Sequence, residues 1–313
     1  MTYADRDERG IYIWNGVEYP SVTRILGMIA SSDLQMWYAK MTAEECAGIA
    51  QKMIEGIMPE QEGYSELLDS ATRMTAPIRY RDHRGSIGTL THHYLYTRAL
   101  GEKPAYLQNW IFSTIDMLGL AKRSDQDDYA STLARASEDY IEAAERFLNT
   151  YKPEFEAVGL EALVVNEQYG YAGRTDAILT FKKSKWPRNL QWLYPNDEVR
   201  LTTDFKTSKH LKDSFRLQLE AYRQADFIGL IEDQSEHRIE KTEGSCLIHI
   251  KPDTGAHFVP CTLPGEDPGP LMDAFVALRY IYSVFEELPT PTRVKKVVSE
   301  IRKKKIPGKP CPF

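Results

Sequence analysis

The chain has 313 residues, room for one large domain or two modest ones, and its 42% hydrophobic and 27% charged content is that of an ordinary globular protein. No apolar run approaches the ~18 residues of a membrane span. The acidic, polar start lacks the features of a signal or transit peptide, so a cytoplasmic setting is expected. A net charge of −6 gives no general affinity for nucleic acid, and the cysteines at 46, 246, 261 and 311 lack any CxxC spacing, which points to free thiols.

Residues 11–19 alternate around Asn15-Gly16, the pattern of a small hairpin, and Pro20-Ser21 then opens a helix. Residues 33–75 read as two helices, with interruptions at Met58-Pro59 and Glu62-Gly63. A helix is placed over 88–100, stopped by Gly101. Within it His92 and His93 diverge by ~100°, so one faces the sheet and the other faces solvent or a ligand. Residues 105–152 are helical by pattern, with a polar gap at 122–128.

Strands are expected at 160–165, 172–181 and 199–207. The connection 182–198 is long, begins basic and carries Trp186, Trp192 and Tyr194. Those aromatics fit packing onto the body or stacking on unpaired bases. A helix over 211–231 places Leu211, Phe215, Gln218, Tyr222 and Ala225 on one stripe, with Gln218 its polar member. Strands at 246–250 and 257–261 flank a Pro252–Gly255 turn, and 271–285 forms a last amphipathic helix.

The expected architecture is an α/β core over 156–292, preceded by a helical lobe over 1–155 with its N-terminal hairpin and an arch. A basic tail follows over 293–313. Eight lysines and arginines between Arg293 and Lys309 face one acid, Glu300. Such a strip fits a polyanion locally, although a solvated tail is the commoner outcome.

The chemistry concentrates between Gly170 and Lys206. Asp204 and Lys206, two apart on a strand, share one face, while Leu201 and Phe205 point the other way. Asp176 ends the Gly-rich run G-Y-A-G-R-T-D. Two carboxylates and an amine at one end of a sheet suit a hydrated Mg²⁺ or Mn²⁺ and a water attacking a phosphodiester. The backbone carbonyl of Phe205 is a further candidate ligand. Like-charge repulsion from the cation is expected to lower the pKa of Lys206. Taken singly, each feature has a plainer explanation: Asp-x-Lys is commonly a solvated pair, Gly-x-x-Asp a turn, and His92 a satisfied core histidine.

Together, however, G-T-x-x-H, an acid-bearing strand, G-x-x-D, D-x-K and Q-x-x-x-Y follow one another in an order that resembles the PD-(D/E)XK nuclease superfamily, in its RecB-like branch. P-S-V-T-R-I-L (20–26), G-T-L-T-H (88–92) and L-E-A-L-V-V-N-E (160–167) are similar to the mitochondrial genome maintenance exonuclease family and related phage exonucleases. The resemblance implies a restriction-endonuclease-like mixed central sheet flanked by helices, with an arch admitting single-stranded DNA. It implies a metal site of His92, Asp176, Asp204 and Lys206, steadied by Gln218 and Tyr222, with Glu161 or Glu167 contributing. Ser21, Thr23, Arg24, Arg84, Thr89 and Lys209 become candidate DNA contacts.

Scattered cysteines imply no iron–sulfur cluster, and the absence of GxxxxGK[ST] implies no nucleotide motor. The function so implied is a metal-dependent DNA exonuclease of recombination, repair or replication, with a phage among the settings it fits. Its partners would be DNA and a helicase, recombinase or single-strand-binding protein, with no membrane. A structure-specific endonuclease and a non-catalytic DNA-binding subunit are the alternatives.

Overall fold

Side-chain alternation on one central strand sets the layers. β7 (Glu198–Lys206) turns Val199, Leu201 and Phe205 to one side and Thr202, Asp204 and Lys206 to the other. It pairs antiparallel with β6 (Ala177–Lys182) and parallel with β10 (Gly244–Lys251). β3 (Glu154–Phe155) beyond β6 and β11 (Gly255–Thr262) beyond β10 complete a mixed five-stranded sheet. The computed structural model describes residues 7, 9–29, 32–121, 128–193, 196–230, 235–263, 267 and 269–287. No described helix is long and apolar enough to cross a membrane.

Helices cover both faces. α6 (Tyr129–Tyr151) lays Ala143, Ala144 and Phe147 on the Leu201–Phe205 face, with α4 (Thr75–Ala99) and α5 (Leu107–Met117) packed around it. Phe147 contacts the rings of Phe181, Phe205 and Phe258 there, so this side is an aromatic core. On the opposite face lie α1 (Val22–Leu26), α7 (Ser214–Arg223) and α8 (Gly269–Glu287), which bring Val22, Leu219 and Phe275 to Ile178 and Leu247. α2 (Ser32–Ile54) pairs with α3 (Glu60–Arg73) and leans on α4.

A second sheet runs β5 (Tyr171–Thr175), β4 (Ala162–Asn166), β8 (Phe227–Leu230), β9 (Ser235–Arg238). The hairpin of β1 (Ile11–Trp14) and β2 (Val17–Pro20) turns at Asn15 and Gly16, both left-handed, and packs Tyr12, Trp14 and Tyr19 on Leu163, Val165, Ala172 and Phe227. The hairpin and α1 therefore pack on the C-terminal half of the chain, although they precede the helical lobe in sequence.

Several sequence expectations need correction. α4 begins at Thr75, thirteen residues before the expected start: Pro77 falls in the first turn, where its missing N–H costs nothing, and two glycines are carried inside the helix. Gly63 interrupts nothing and lies within α3. The helix expected over 211–231 ends at Arg223, because Phe227-Ile228-Gly229-Leu230 pairs as a strand with β4 and β9. The single strand expected over 172–181 is two strands in different sheets. In the 182–198 connection Trp186 packs against Phe181 and Phe258, the packing alternative, while Tyr194 and the basic tail lie outside the described residues.

The ring of Trp14 is 1% exposed and lies over Gly229, next to Phe227. Trp14→Ala is expected to destabilise the fold by about 3–5 kcal/mol, because the rigid sheet beneath cannot collapse into the space left. Denaturant titration checks this, and a loss below about 1 kcal/mol would mean that the hairpin is not anchored there.

Candidate active site

The site forms where the chain changes sheets. β5 belongs to the four-stranded sheet and β6 to the five-stranded one, and Asp176 is the single residue between them. The β6–β7 ladder accordingly stops at Ala177↔Thr203. Phe205, further along β7, has lost a strand partner on that edge, and its backbone N–H donates instead to Oδ2 of Asp176 at 2.7 Å. The backbone carbonyl of Asp176 accepts the N–H of Glu161, just before β4, at 2.9 Å. Glu161 is held at φ 49°, a left-handed conformation unusual for a non-glycine residue.

Other elements converge on this junction. α4 supplies His92, whose Nδ1 lies 3.5 Å from Asp176 Oδ2 and whose ring meets Phe205 edge-on. His93, its neighbour, turns away and stacks between Trp110 and Tyr96. From the opposite side of β7 come Asp204 and Lys206, with the lysine ammonium against Asp204 Oδ2 and over the ring of Phe215. Apart from that ammonium, no hydrogen-bond partner among the described residues reaches this buried oxygen. α7 adds Gln218, which donates to the Tyr222 hydroxyl at 2.8 Å. Gly173 admits the tyrosine: a Cβ there would run into the Tyr222 ring. Asp176, Asp204, Lys206, Gln218, Tyr222 and His92 share a polar cavity of about 490 Å³.

The carboxylates strain one another electrostatically. Burial, then Asp176, pushes Glu161 up to about 7 against the pull of Arg174 and His92. Burial also raises Asp204, to about 6, with Asp176 adding to it and Lys206 opposing. Burial acts to raise Asp176 as well, but His92 and Lys206 outweigh it and hold that carboxyl low. For His92 burial disfavours the charge, yet Asp176 prevails and lifts the imidazole to about 9. Lys206 likewise is raised, because Asp204 and Asp176 overcome its burial. Among the protein's own groups, then, this lysine is held as a cation; the lowering expected of it belongs to the site with a divalent ion beside it.

The donor set suits a hard divalent cation. Ligand atoms of His92, Glu161 and Asp176 all lie within 4.8 Å of one another; Asp204, expected in the same metal site, is outside that group and lines the adjoining cavity. The metal-type cluster thus includes Glu161, one of the two glutamates the sequence left open. Glu167 lies at the other end of β4, about 20 Å along the strand, and its backbone N–H bonds Asp226.

The expected DNA contacts scatter. Ser21 caps α1 through Arg24 N–H and lines the polar cavity with Thr23. Arg24 instead pairs with Glu286 at 2.8 Å and lies over Tyr282. Arg84 bonds Tyr140 and the Thr207 carbonyl, each at 2.7 Å, which ties α4 to α6 and to the end of β7. Thr89 bonds back to Gly85 at 3.0 Å and lines a neighbouring cavity, and Lys209 is exposed beyond β7.

Two residues of the site were not singled out in the sequence. Arg174 pairs with Glu161 at 3.0 Å and lines the cavity, as does Tyr12 from the hairpin. Arg174 was readable as the charged member of G-R-T-D, since it stands two before Asp176. Tyr12, more than 150 residues away in sequence, gave no such signal. Compared with known protein families and with curated protein sequences, the chain matches none.

The pKa shifts set a pH dependence. Asp204 (3.8 to about 6), Glu161 (4.5 to about 7) and His92 (6.5 to about 9) all bind protons more tightly folded than unfolded. Their contribution to stability is therefore lost as pH rises from about 4 to 9, whereas that of Asp176 changes only below its ordinary value of 3.8. The cation-free protein is expected to melt lower at pH 9 than at pH 5.5. Added Mg²⁺ or Mn²⁺ should raise the melting temperature more at pH 9, where protons no longer compete. A cation shift independent of pH between these values would exclude His92 and Glu161 as ligands.

Proposed function

We propose that this protein is a divalent-metal-dependent nuclease of the PD-(D/E)XK type, a DNA exonuclease acting on single strands or single-stranded ends. One observation carries the proposal. Side chains from β5–β6, β7, α4 and α7, which are distant in sequence, meet in one polar cavity, and Glu161 closes on two of them, His92 and Asp176, so that carboxylates gather beside a buried ammonium. A purely structural site has little reason to bury three carboxylates this close, since burial of like charges is costly.

His92, Glu161, Asp176 and Asp204 would hold the cation, with the Phe205 carbonyl a further candidate. When bound, a divalent ion supplies charge neutralisation at the phosphate and acidifies water. The chain's own residues do the remaining work. Lys206 is kept cationic by Asp204 and braced over Phe215, which leaves it suited to pair with a phosphate oxygen and to steady the charge that builds in the transition state. Gln218 and Tyr222 fix each other and form the polar wall opposite. Arg174 adds a second cation at the cavity edge. Asp176 keeps β7 in register with the Glu161 turn through Phe205 N–H and its own carbonyl, so Asp204 and Lys206 stay aimed at the same space.

Lys206→Ala and Asp204→Asn are each expected to lower cleavage of a linear single-stranded oligonucleotide in Mg²⁺ by about a hundred- to a thousandfold, the scale of losing one preorganised electrostatic group. Glu161→Gln should fall comparably and Glu167→Gln should stay within about twofold. End-labelled linear strands tested beside a covalently closed single-stranded circle separate the two nuclease modes: an exonuclease spares the circle and an endonuclease cuts it. DNA binding without any cation-dependent cleavage would leave only the assembly-subunit alternative.

A further inference from the structure

The strand that carries Asp204 and Lys206 ends in a loop tied down from two sides. Beyond Lys206 the chain runs through residues 207–213 before α7 begins at Ser214. Arg84 of α4 donates to the Thr207 carbonyl at 2.7 Å. His249 of β10, a buried side chain, donates through Nε2 to the Ser208 carbonyl at 2.6 Å. The Ser208 hydroxyl donates to the His210 carbonyl at 2.9 Å. A surface loop that only joined a strand to a helix would need no such ties.

What the ties hold in place is positive charge. Lys209, His210 and Lys212 are exposed on the loop. Alongside, the strand registers align Lys206 with His249 and His249 with His257, so the three side chains stand in one row on one face of the sheet, about 10 Å across two strand spacings. Lys251 ends β10 two residues beyond His249. Burial holds His249 below its ordinary pKa and the Ser208 carbonyl opposes this, while Lys251, His257 and His210 add to the lowering, which puts all three basic groups near it. Among the described residues no ion pair joins a carboxylate to Lys209, Lys212 or Lys251, although Asp213 and Asp253 lie in the same two segments. Exposed lysines outside any such pair also stand on three separate segments, at Lys52, Lys185 and Lys241, but here they gather beside the site.

In a chain of net charge −6 this group makes a local positive potential that begins at the wall of the carboxylate cavity, which Lys206 lines. A loop fixed beforehand also lowers the ordering cost of binding. Neither 207–213 nor 251–257 contains Phe, Tyr or Trp, so bases find no ring to stack on. The chemistry that fits is a row of phosphates.

We infer that the 207–213 loop, with Lys251 and His257 beside it, is the track on which the sugar–phosphate backbone of the substrate runs from the carboxylate cavity, held by Lys209, Lys212 and Lys251 without regard to base. His249 and Arg84 act as positioning residues that hold the loop. The inference rests on the nuclease reading and deepens it: it names how the substrate beyond the cleaved bond is gripped.

The test is the salt dependence of binding. In a Lys206→Ala background, which blocks turnover, binding of a fluorescent single-stranded oligonucleotide is followed through a KCl titration at fixed low Mg²⁺. Combining Lys209→Gln, Lys212→Gln and Lys251→Gln should weaken binding at low salt by about tenfold or more. It should also reduce the slope of log K against log salt by about 2, since each phosphate contact on a single strand contributes about 0.7. Combining Lys52→Gln, Lys185→Gln and Lys241→Gln removes the same net charge and should leave the slope unchanged. A strand of abasic sites should behave like the ordinary one. A strand whose linkages are neutral methylphosphonates, except the terminal one, should bind with and without the three loop-side substitutions alike.

An unchanged slope in the first variant, an equal change in the second, or a difference that persists on the neutral strand overturns the track. Should the triple variant melt early, Lys209→Gln with Lys212→Gln carries the same comparison, with a slope change of about 1.4. If the unmodified protein cleaves single strands and the slope test fails, the track alone is lost. If it binds nucleic acid without cleaving it, the nuclease reading falls and the slope still decides the track. If it binds none in Mg²⁺ or Mn²⁺, both fall.

Discussion

The hydrogen bond from Phe205 N–H to the Asp176 carboxylate is the contact on which the arrangement of the site depends. At Asp176 the chain leaves one sheet for the other, and β7 would be left with an unpaired backbone donor inside the protein. A side chain takes the place of the missing strand. One carboxylate thereby satisfies the backbone, fixes the edge of the five-stranded sheet and stands beside His92. Its carbonyl meanwhile ties down Glu161, so the left-handed turn that aims Glu161 at the cluster is anchored from the same residue.

That geometry has an electrostatic consequence. Burial, with repulsion from Asp176 added to it, raises Glu161 and Asp204 well above ordinary carboxyl values, and each of the three acids is answered by a cation: Arg174 for Glu161, His92 for Asp176, Lys206 for Asp204. Near neutral pH Glu161 is thus held partly protonated, while Asp176 stays ionised against His92. A divalent ion would substitute for protons and loosen these pairings, freeing Arg174 and Lys206 for an anionic ligand. The remainder of the fold tolerates such strain because its hydrophobic clusters are extensive on both faces of the sheet, and because a further buried carboxylate is well partnered. Glu220 is 0% exposed and is met by Arg223, Gln224 and Thr262.

Much of the local structure was legible in the sequence. Asn15-Gly16 specified the hairpin, Ser21 the cap of α1, and period-two alternation around Asp204 and Lys206 put both on one face of β7. Misreadings fell where local pattern is ambiguous. The 227–230 segment continues a helical stripe by spacing, yet pairing with β4 makes it a strand. Arg24 and Arg84 looked free for phosphate because a sequence does not display Glu286, Tyr140 or the Thr207 carbonyl beside them.

What the sequence determined by itself was the list of chemically capable residues and the face each occupies on its own element, since both follow from side-chain type and from the periods of helix and strand. Tertiary structure alone decided which of them meet. It chose Glu161 over Glu167, brought in Arg174 and Tyr12, and divided one apolar run between two sheets at Asp176. The physical reason is that a strand's alternation reports which way a side chain points but not which sheet the strand joins, and that choice is made by pairing between segments far apart in the chain.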